Sequence, residues 1–336
     1  MRRGFFILSA VILLLGSCGR QGSFPPVGSY SSVLIVTETG RLDESTEKLV
    51  RQIQHPVDYY TKEELQFKAK LISASQVDEE PPSKNMILFG LVREGEVGKL
   101  IEGFIGTASV RKVLEGKTNI FRKLDYPYAG QLTIIITAAS WDRLEKVVSE
   151  NGALLRDIIE EANRERLREY LLRKEKTDLA EEIRAKYKFT LGIPFLYELN
   201  QERKEVPGIE FVRTAPHRGL TVSWRRWEKG AVALADSSML YDIRADIAWK
   251  MYDKDIMRRD LVSFAEDRLG DYTVIRMDGY WENSEGIYGG PYSCFFLFDD
   301  IRGRLWIIDT LVYGPGFDKH PLLRELRAVA ETFRPN

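Results

Sequence analysis

The chain has 336 residues, 44% of them hydrophobic, with 49 basic and 50 acidic side chains and a formal charge of −1. So even a balance offers no basic surface for a phosphate backbone, which excludes nucleic acid as an expected partner. Two cysteines are too few for a disulfide framework, and a chain of this length is expected to form about two domains of roughly 150 residues, each standing on packing.

The N-terminus reads as a secretory signal over residues 1–17. Arg2 and Arg3 precede the apolar run FFILSAVILLL, Phe5 to Leu15, which is too short to span a bilayer, since a spanning helix needs about 20 apolar residues. Leu15, Gly16, Ser17 and Cys18 then resemble the lipobox of bacterial lipoprotein precursors. That resemblance implies cleavage before Cys18 and diacylglycerol on its thiol. Two or more acyl chains at ~0.8 kcal/mol per buried methylene make a stable anchor. The absence of an acid in GRQGS, directly after Cys18, favours the periplasmic leaflet of the outer membrane. Lipid on Cys18 would leave Cys294 with no cysteine to pair with.

Residues 18–32, rich in Gly, Ser and Pro, read as a flexible tether. An N-terminal α+β half is expected over residues 33–190. VLIVT (33–37) has strand character, and DESTEKLVRQI places Leu49, Val50 and Ile53 at helical spacing. QFKAKLIS reads as a strand, SQVDEEPPSK as a loop, NMILFGLV as a buried strand and QLTIIITA as a β-branched one. Ser140 suits the N-cap of a helix at WDRLEKVVSE. Beyond Asn151 and Gly152, ALLRDIIEEANRERLREYLLRKEK predicts a long charged helix joining the two halves, with Glu160–Arg164 and Glu169–Arg173 at spacing four. DLAEEIRAKY opens another.

The C-terminal α+β half is expected over residues 191–336. FLYEL, IEFVR and GLTVSWRRW read as extended. Asp236 opens a helix whose Leu240, Ile243, Ile247 and Met251 share one face. YTVIRMDGYW, YSCFFLF and LWIIDTLVY predict three consecutive antiparallel strands, with DDIRGR as the turn between the last two. A final helix with Pro321 in its first turn carries Leu322, Leu326, Val329 and Phe333 on one face. Strands in runs point to an α+β fold with two antiparallel-sheet halves.

The stretch DGYWENSEGIYGGPYSCFFLFDDIRGRLWIIDTLVYGPGFDKHPLLRELRAVAETF combines Gly-x-Trp, Gly-Gly-Pro-aromatic-Ser, VYGPG and an amphipathic helix. In that order it is similar to the bacterial envelope lipoproteins grouped as domain of unknown function 4837. LLRDIIEEANRERLREYLLRKEK and AEEIRAKYKFTLGIPFLYEL extend the likeness upstream, while residues 279–289 depart from it. The resemblance implies a lipoprotein address and a two-part α+β body, and it brings no catalytic residues.

Trp281, Asn283, Tyr288 and Tyr292 form the candidate surface for a ligand or partner. Flat aromatic faces beside amides and carboxylates suit a sugar or peptide, and the neighbouring glycines would let it approach the backbone. A hairpin whose aromatics pack back onto the sheet is the competing account. Cys294, with His217 or His320 as base, would be a thiol nucleophile, but its setting in YSCFFLF predicts a buried, inert group. His55, His217 and His320 lack the spacing of zinc motifs, and Asp242, Asp246 and Asp253 fall on the face opposite the apolar stripe, as a solvated surface does. No metal and no cofactor are expected. The sequence therefore reads as a lipid-anchored envelope protein that binds a partner protein or glycan, with an envelope hydrolase as the alternative.

Overall fold

The computed structural model describes residues 26–336 apart from Thr61, Lys204, Glu205, residues 229–235, Asp253 and Gly286. The secretory signal, Cys18 and most of the expected tether lie outside the described residues. The fold is α+β, and the chain divides into two compact units. One comprises residues up to Pro56 together with Leu65–Asn163, and the other Val57–Glu64 with Arg164–Asn336. The long stretch of the chain passes from one unit to the other between Asn163 and Arg164.

In the first unit the elements are β1 (Ser32–Thr37), α1 (Glu44–Ile53), β4 (Lys68–Ser73), β5 (Asn85–Leu91), α2 (Gly95–Ile105), α3 (Thr107–Leu114), β6 (Ile120–Leu124) and β7 (Leu132–Ala138). β2 (Pro56–Asp58) and β3 (Glu63–Leu65) pair as a small ribbon. The main sheet has the order β4-β1-β5-β7-β6. β1 runs parallel to β4 and β5, and β5 runs parallel to β7. Only the edge pair β6–β7 is antiparallel, which corrects the expectation of an antiparallel sheet in this half.

The reason lies in burial. Every residue of β5 and β7 is buried, because both faces of the sheet are covered. Leu49 and Ile53 of α1, with Leu144, Val148, Leu155 and Ile159 further along the chain, cover Ile35, Ile87 and Ile134. Val97, Ile101 and Val113 of α2 and α3 cover Val36, Leu88 and Ile135 on the other side. A strand buried on two faces reads as an unbroken apolar run, the mark of parallel strands joined by helices. Asp43 caps α1 by accepting the Thr46 N–H at 2.9 Å.

α4 (Trp141–Leu172) is one continuous helix of 32 residues, where two were expected to meet at Asn151 and Gly152. Gly152 faces Gln52 of α1. A Cβ there would come within 1.9 Å of the Gln52 Oε1, so any larger residue would have to push the Gln52 side chain aside.

The second unit contains α5 (Thr177–Tyr187), β8 (Phe189–Thr190), β9 (Glu198–Arg203), β10 (Gly208–Arg213), β11 (His217–Arg226), α6 (Ser237–Met251), β12 (Ile256–Met257), β13 (Ser263–Leu269), β14 (Tyr272–Glu282), β15 (Gly289–Asp299), β16 (Arg304–Tyr313), α7 (His320–Ala330) and β17 (Arg334–Pro335). Its main sheet runs β12-β14-β15-β16-β11-β10-β9, with β13 added beside β14. All of its strand pairs are antiparallel, as the alternating patterns and the DDIRGR turn predict. α6 covers one face through Leu240, Ile247 and Met251, which pack on Met277, Phe296 and Ile307. Trp306, Phe189 and Phe333 meet on the other face, with ring centroids 5.4–5.8 Å apart.

Two carboxylates tie α7 down. Glu64, buried, accepts the Lys319 N–H at 2.7 Å and the His320 N–H at 3.0 Å, which satisfies the open N–H groups and positive dipole end of the helix. Asp267 of β13 accepts from Arg327 of α7 at 2.8 and 3.0 Å and also pairs with Arg276. Burial works to raise the Asp267 carboxyl, but the guanidiniums outweigh it, Arg327 foremost, and hold it below the usual carboxylate range.

A carboxyl depressed in the folded state stabilises above its unfolded pKa of about 3.9, and that stability is lost as pH falls through the folded value. Asp267→Asn should therefore cost about 1–3 kcal/mol near neutral pH. The gap between variant and parent in urea unfolding should close as the pH drops below about 4.

Candidate functional site

The candidate surface residues lie on the β14–β15 hairpin, and its glycines and aromatics are interlocked. Gly279 pairs across the strands with Tyr292, and Trp281 pairs with Gly290. A Cβ on Gly279 would come 2.5 Å from the Tyr292 hydroxyl, and one on Gly290 would come 1.9 Å from the Val312 carbonyl oxygen and 3.4 Å from Trp281 Nε1. Each aromatic lies over or beside the glycine of the other strand, an arrangement that packs large rings without straining the ladder. The Gly-x-Trp and Gly-Gly-Pro-aromatic motifs are therefore two halves of one cross-strand lock.

The consequence for the predicted surface is direct. Trp281 and Tyr292 are 4% and 1% exposed and belong to the core under α6, and Asn283 is buried as well. These three are not ligand-facing; the packing account holds for them. Tyr288 remains at the surface, 42% exposed, beside Ile287 at 74%. Asn283 builds the tip that carries them: its Oδ1 accepts the N–H groups of Ile287 at 2.8 Å and Tyr288 at 3.0 Å, and its own N–H donates to the Tyr288 carbonyl at 2.9 Å. Beneath the tip, the Tyr288 ring meets Trp281 at 6.0 Å and Tyr313 at 5.4 Å between centroids.

Tyr292 leads to a group that sequence reasoning missed. Arg244 of α6 and Asp309 of β16 are 0% and 1% exposed and form an ion pair, Nη2 to Oδ2 at 3.0 Å and Nε to Oδ1 at 3.3 Å. The Tyr252 hydroxyl donates to Asp309 at 3.2 Å, and the Arg244 guanidinium stacks 3.6 Å from the centre of the Tyr292 ring. Burial opposes the Arg244 charge, yet Asp309 and the surrounding groups outweigh it and hold the guanidinium above its ordinary range. Burial pushes the Asp309 carboxyl up, against the pull of Arg244 and Tyr252. Arg244 stands one turn beyond Leu240, within the buried stripe, a place where only its fixed partner makes arginine tolerable.

Cys294 lies in the same layer, wholly buried, and burial pushes its thiol well above the ordinary range. Burial therefore favours the neutral thiol over the thiolate, the form that acts as a nucleophile. The histidines stay apart from it in role. His55 is exposed, His217 is half-buried with its imidazole lowered by burial, and His320 Nδ1 lies 2.7 Å from the Tyr59 hydroxyl. Asp242 pairs with Arg259, and Asp246 with Arg225 and Lys250, on the outer face of α6 as expected; Asp253 lies outside the described residues. Among the described residues no cluster of His, Cys, Asp and Glu has metal-binding geometry.

In the first unit the strand order reverses between β1 and β5, the position where open parallel sheets take ligands. Here the position is filled from within. Glu38, following β1, accepts the N–H groups of Glu96 at 3.1 Å and Val97 at 3.0 Å at the start of α2, the place an anion would occupy.

A family model described as Domain of unknown function (DUF4837) matches residues 231–332. Over this stretch the chain is similar to that family. The DUF4837 match takes in α6, the hairpin and α7, hence both the glycine–aromatic lock and the Arg244–Asp309 pair. No curated protein matches the chain. Among solved structures, a point mutant of the protein Mog1 is 10% identical with a TM-score of 0.31, and the Saccharomyces cerevisiae Ran-binding protein Mog1p is 11% identical with 0.29; each match covers 44% of this chain and 90% of the other. LpqN of Mycobacterium tuberculosis, involved in cell envelope biogenesis, is 12% identical with a TM-score of 0.28 over 43% of this chain and 81% of its own. Scores this low assign neither fold nor function.

Removing one member of the buried pair leaves the other charge stranded, so Arg244→Met alone should destabilise by about 3–5 kcal/mol. Arg244→Met combined with Asp309→Leu should recover most of that loss. Urea unfolding of the two single variants and the double variant measures the coupling.

Proposed function

We propose that this is a lipid-anchored protein of the bacterial cell envelope, held through Cys18 at the periplasmic face of the outer membrane, which binds a partner protein or an envelope glycan rather than catalysing a reaction. The anchor rests on the run Phe5–Leu15 followed by Leu15-Gly16-Ser17-Cys18. No helix among the described residues is long and apolar enough to cross a membrane.

The observation that carries the binding reading is the tip locked by Asn283. Ile287 and Tyr288 project from the hairpin with three hydrogen bonds to Asn283, two from their N–H groups to its side chain and one from its N–H to the Tyr288 carbonyl. Apolar and aromatic groups held in this way lose little conformational freedom on contact, and aromatic anchors of this kind supply a large share of interface energy. Trp281 and Asn283 support the tip as positioning residues, and Tyr288 with Ile287 makes the contact.

Two measurements test the proposal. Replacing Cys18 by Ala should abolish fatty acylation and release the protein from the membrane fraction; a variant that stays as acylated and as membrane-bound as the parent removes the anchor. Tagged protein extracted from envelopes in detergent should retain a reproducible partner protein or glycan, and Tyr288→Ala should reduce that retention by about tenfold, the effect of a contact worth some 1.4 kcal/mol. Equal retention by parent and variant would rule out the tip.

A further inference from the structure

At the far end of the same strands from the hairpin tip, the start of β16 and the end of β11 enclose a concavity of about 660 Å³. Four arginines line it, Arg225, Arg226, Arg302 and Arg304, together with Trp224 and Trp227, and Glu228 is the one acid in its lining. Arg225 is held by Asp246 at 2.7 Å and Arg302 by Asp299 at 3.1 Å. Arg226 and Arg304 have no acidic partner among the described residues, whereas Arg225 and Arg302 beside them are paired.

Arg226 lies directly opposite Arg304 across the antiparallel pair, and Trp224 lies opposite Trp306 two residues on, so the two unpaired guanidiniums share one face of the sheet at the rim of an aromatic cluster. Like charges directly opposite one another in a sheet are destabilising. Arg304 is further fixed by stacking, its guanidinium carbon 5.1 Å from the centre of the Trp306 ring. Two planar forks pointed from adjacent strands, with two fixed guanidiniums beside them, match the several oxygens and multiple charge of a phosphate group, and indole walls suit the ring or chain attached to it.

We propose that this concavity binds a phosphate-bearing ligand of the envelope, with Arg226 and Arg304 gripping the phosphate and Trp224 and Trp227 flanking its apolar part. The site stands independently of the role given to the hairpin tip. The phosphate can come from a lipid headgroup or from a soluble ester, and the test separates the two. Protein carrying Cys18→Ala, and so bearing no acyl chain, is titrated with pyrophosphate by calorimetry, and its partition onto phosphatidylcholine vesicles with and without phosphatidylglycerol is measured alongside. Saturable pyrophosphate binding identifies a soluble phosphate, whereas binding only to phosphatidylglycerol vesicles identifies a headgroup.

In either case Arg226→Gln with Arg304→Gln should weaken binding by about tenfold or more, since each lost charge-assisted contact is expected to matter at that level. Arg304→Lys, which keeps the charge and loses the fork, should fall between parent and double variant. An unfolding midpoint matching the parent confirms that the double variant is folded. Failure of both probes to bind, or equal binding by parent and double variant, overturns the proposal.

Discussion

The second unit is organised around a charge that cannot leave. Arg244 enters the core from α6 and meets Asp309 on the central strand, with Tyr252 completing the carboxylate and Tyr292 lying under the guanidinium. Desolvating two charges costs more than an apolar pair of the same volume would, so such a pair contributes little net stability, but it is selective about geometry. Any register of β15, β16 or α6 that separates the partners strands a bare charge in the core. The pair therefore fixes the position of α6 on the sheet, and through Tyr292 it fixes the cross-strand lock with Gly279.

That lock changes the meaning of the most distinctive sequence motif. Glycines beside aromatics suggest an open surface where a ligand lies against backbone. In the folded chain Gly279 and Gly290 make room for the protein's own rings, and Val312 approaches Gly290 closely enough to forbid any side chain there. What reaches solvent is the short tip beyond the lock, where Asn283 converts a loop into a fixed support for Ile287 and Tyr288.

Much of the second unit was legible in the sequence, because its strands alternate and its turns carry polar, glycine-containing signals. β14, β15, β16, the Asp236 cap of α6 and the Pro321 start of α7 all follow from local pattern. The first unit was less legible for two physical reasons. Its strands are buried on both faces, which erases alternation, and α2 is dotted with glycines that resemble a loop. Gly98 is there because a Cβ would sit 2.7 Å from the Leu91 carbonyl oxygen, and Gly90 because one would strike Val97. These are helix-on-sheet contacts that no local pattern announces. Of the candidate site, the aromatic-rich hairpin is legible in the sequence as rings packed on a sheet, whereas the role of Arg244 is not, since its partner lies 65 residues further on.

The short segment Val57–Glu64 belongs with the second unit although most of that unit lies beyond residue 163. It supplies the Glu64 carboxylate that closes the N-terminus of α7, the Tyr59 hydroxyl beside His320, and Lys62 paired with Asp318. A ribosome delivers this piece long before the helix it serves. A fragment cut to begin at Arg164 would lack Glu64, which leaves the N–H groups of Lys319 and His320 at the start of α7 without their carboxylate. The two units are separate in their cores but not in their chain order, so neither can be lifted out with a single cut.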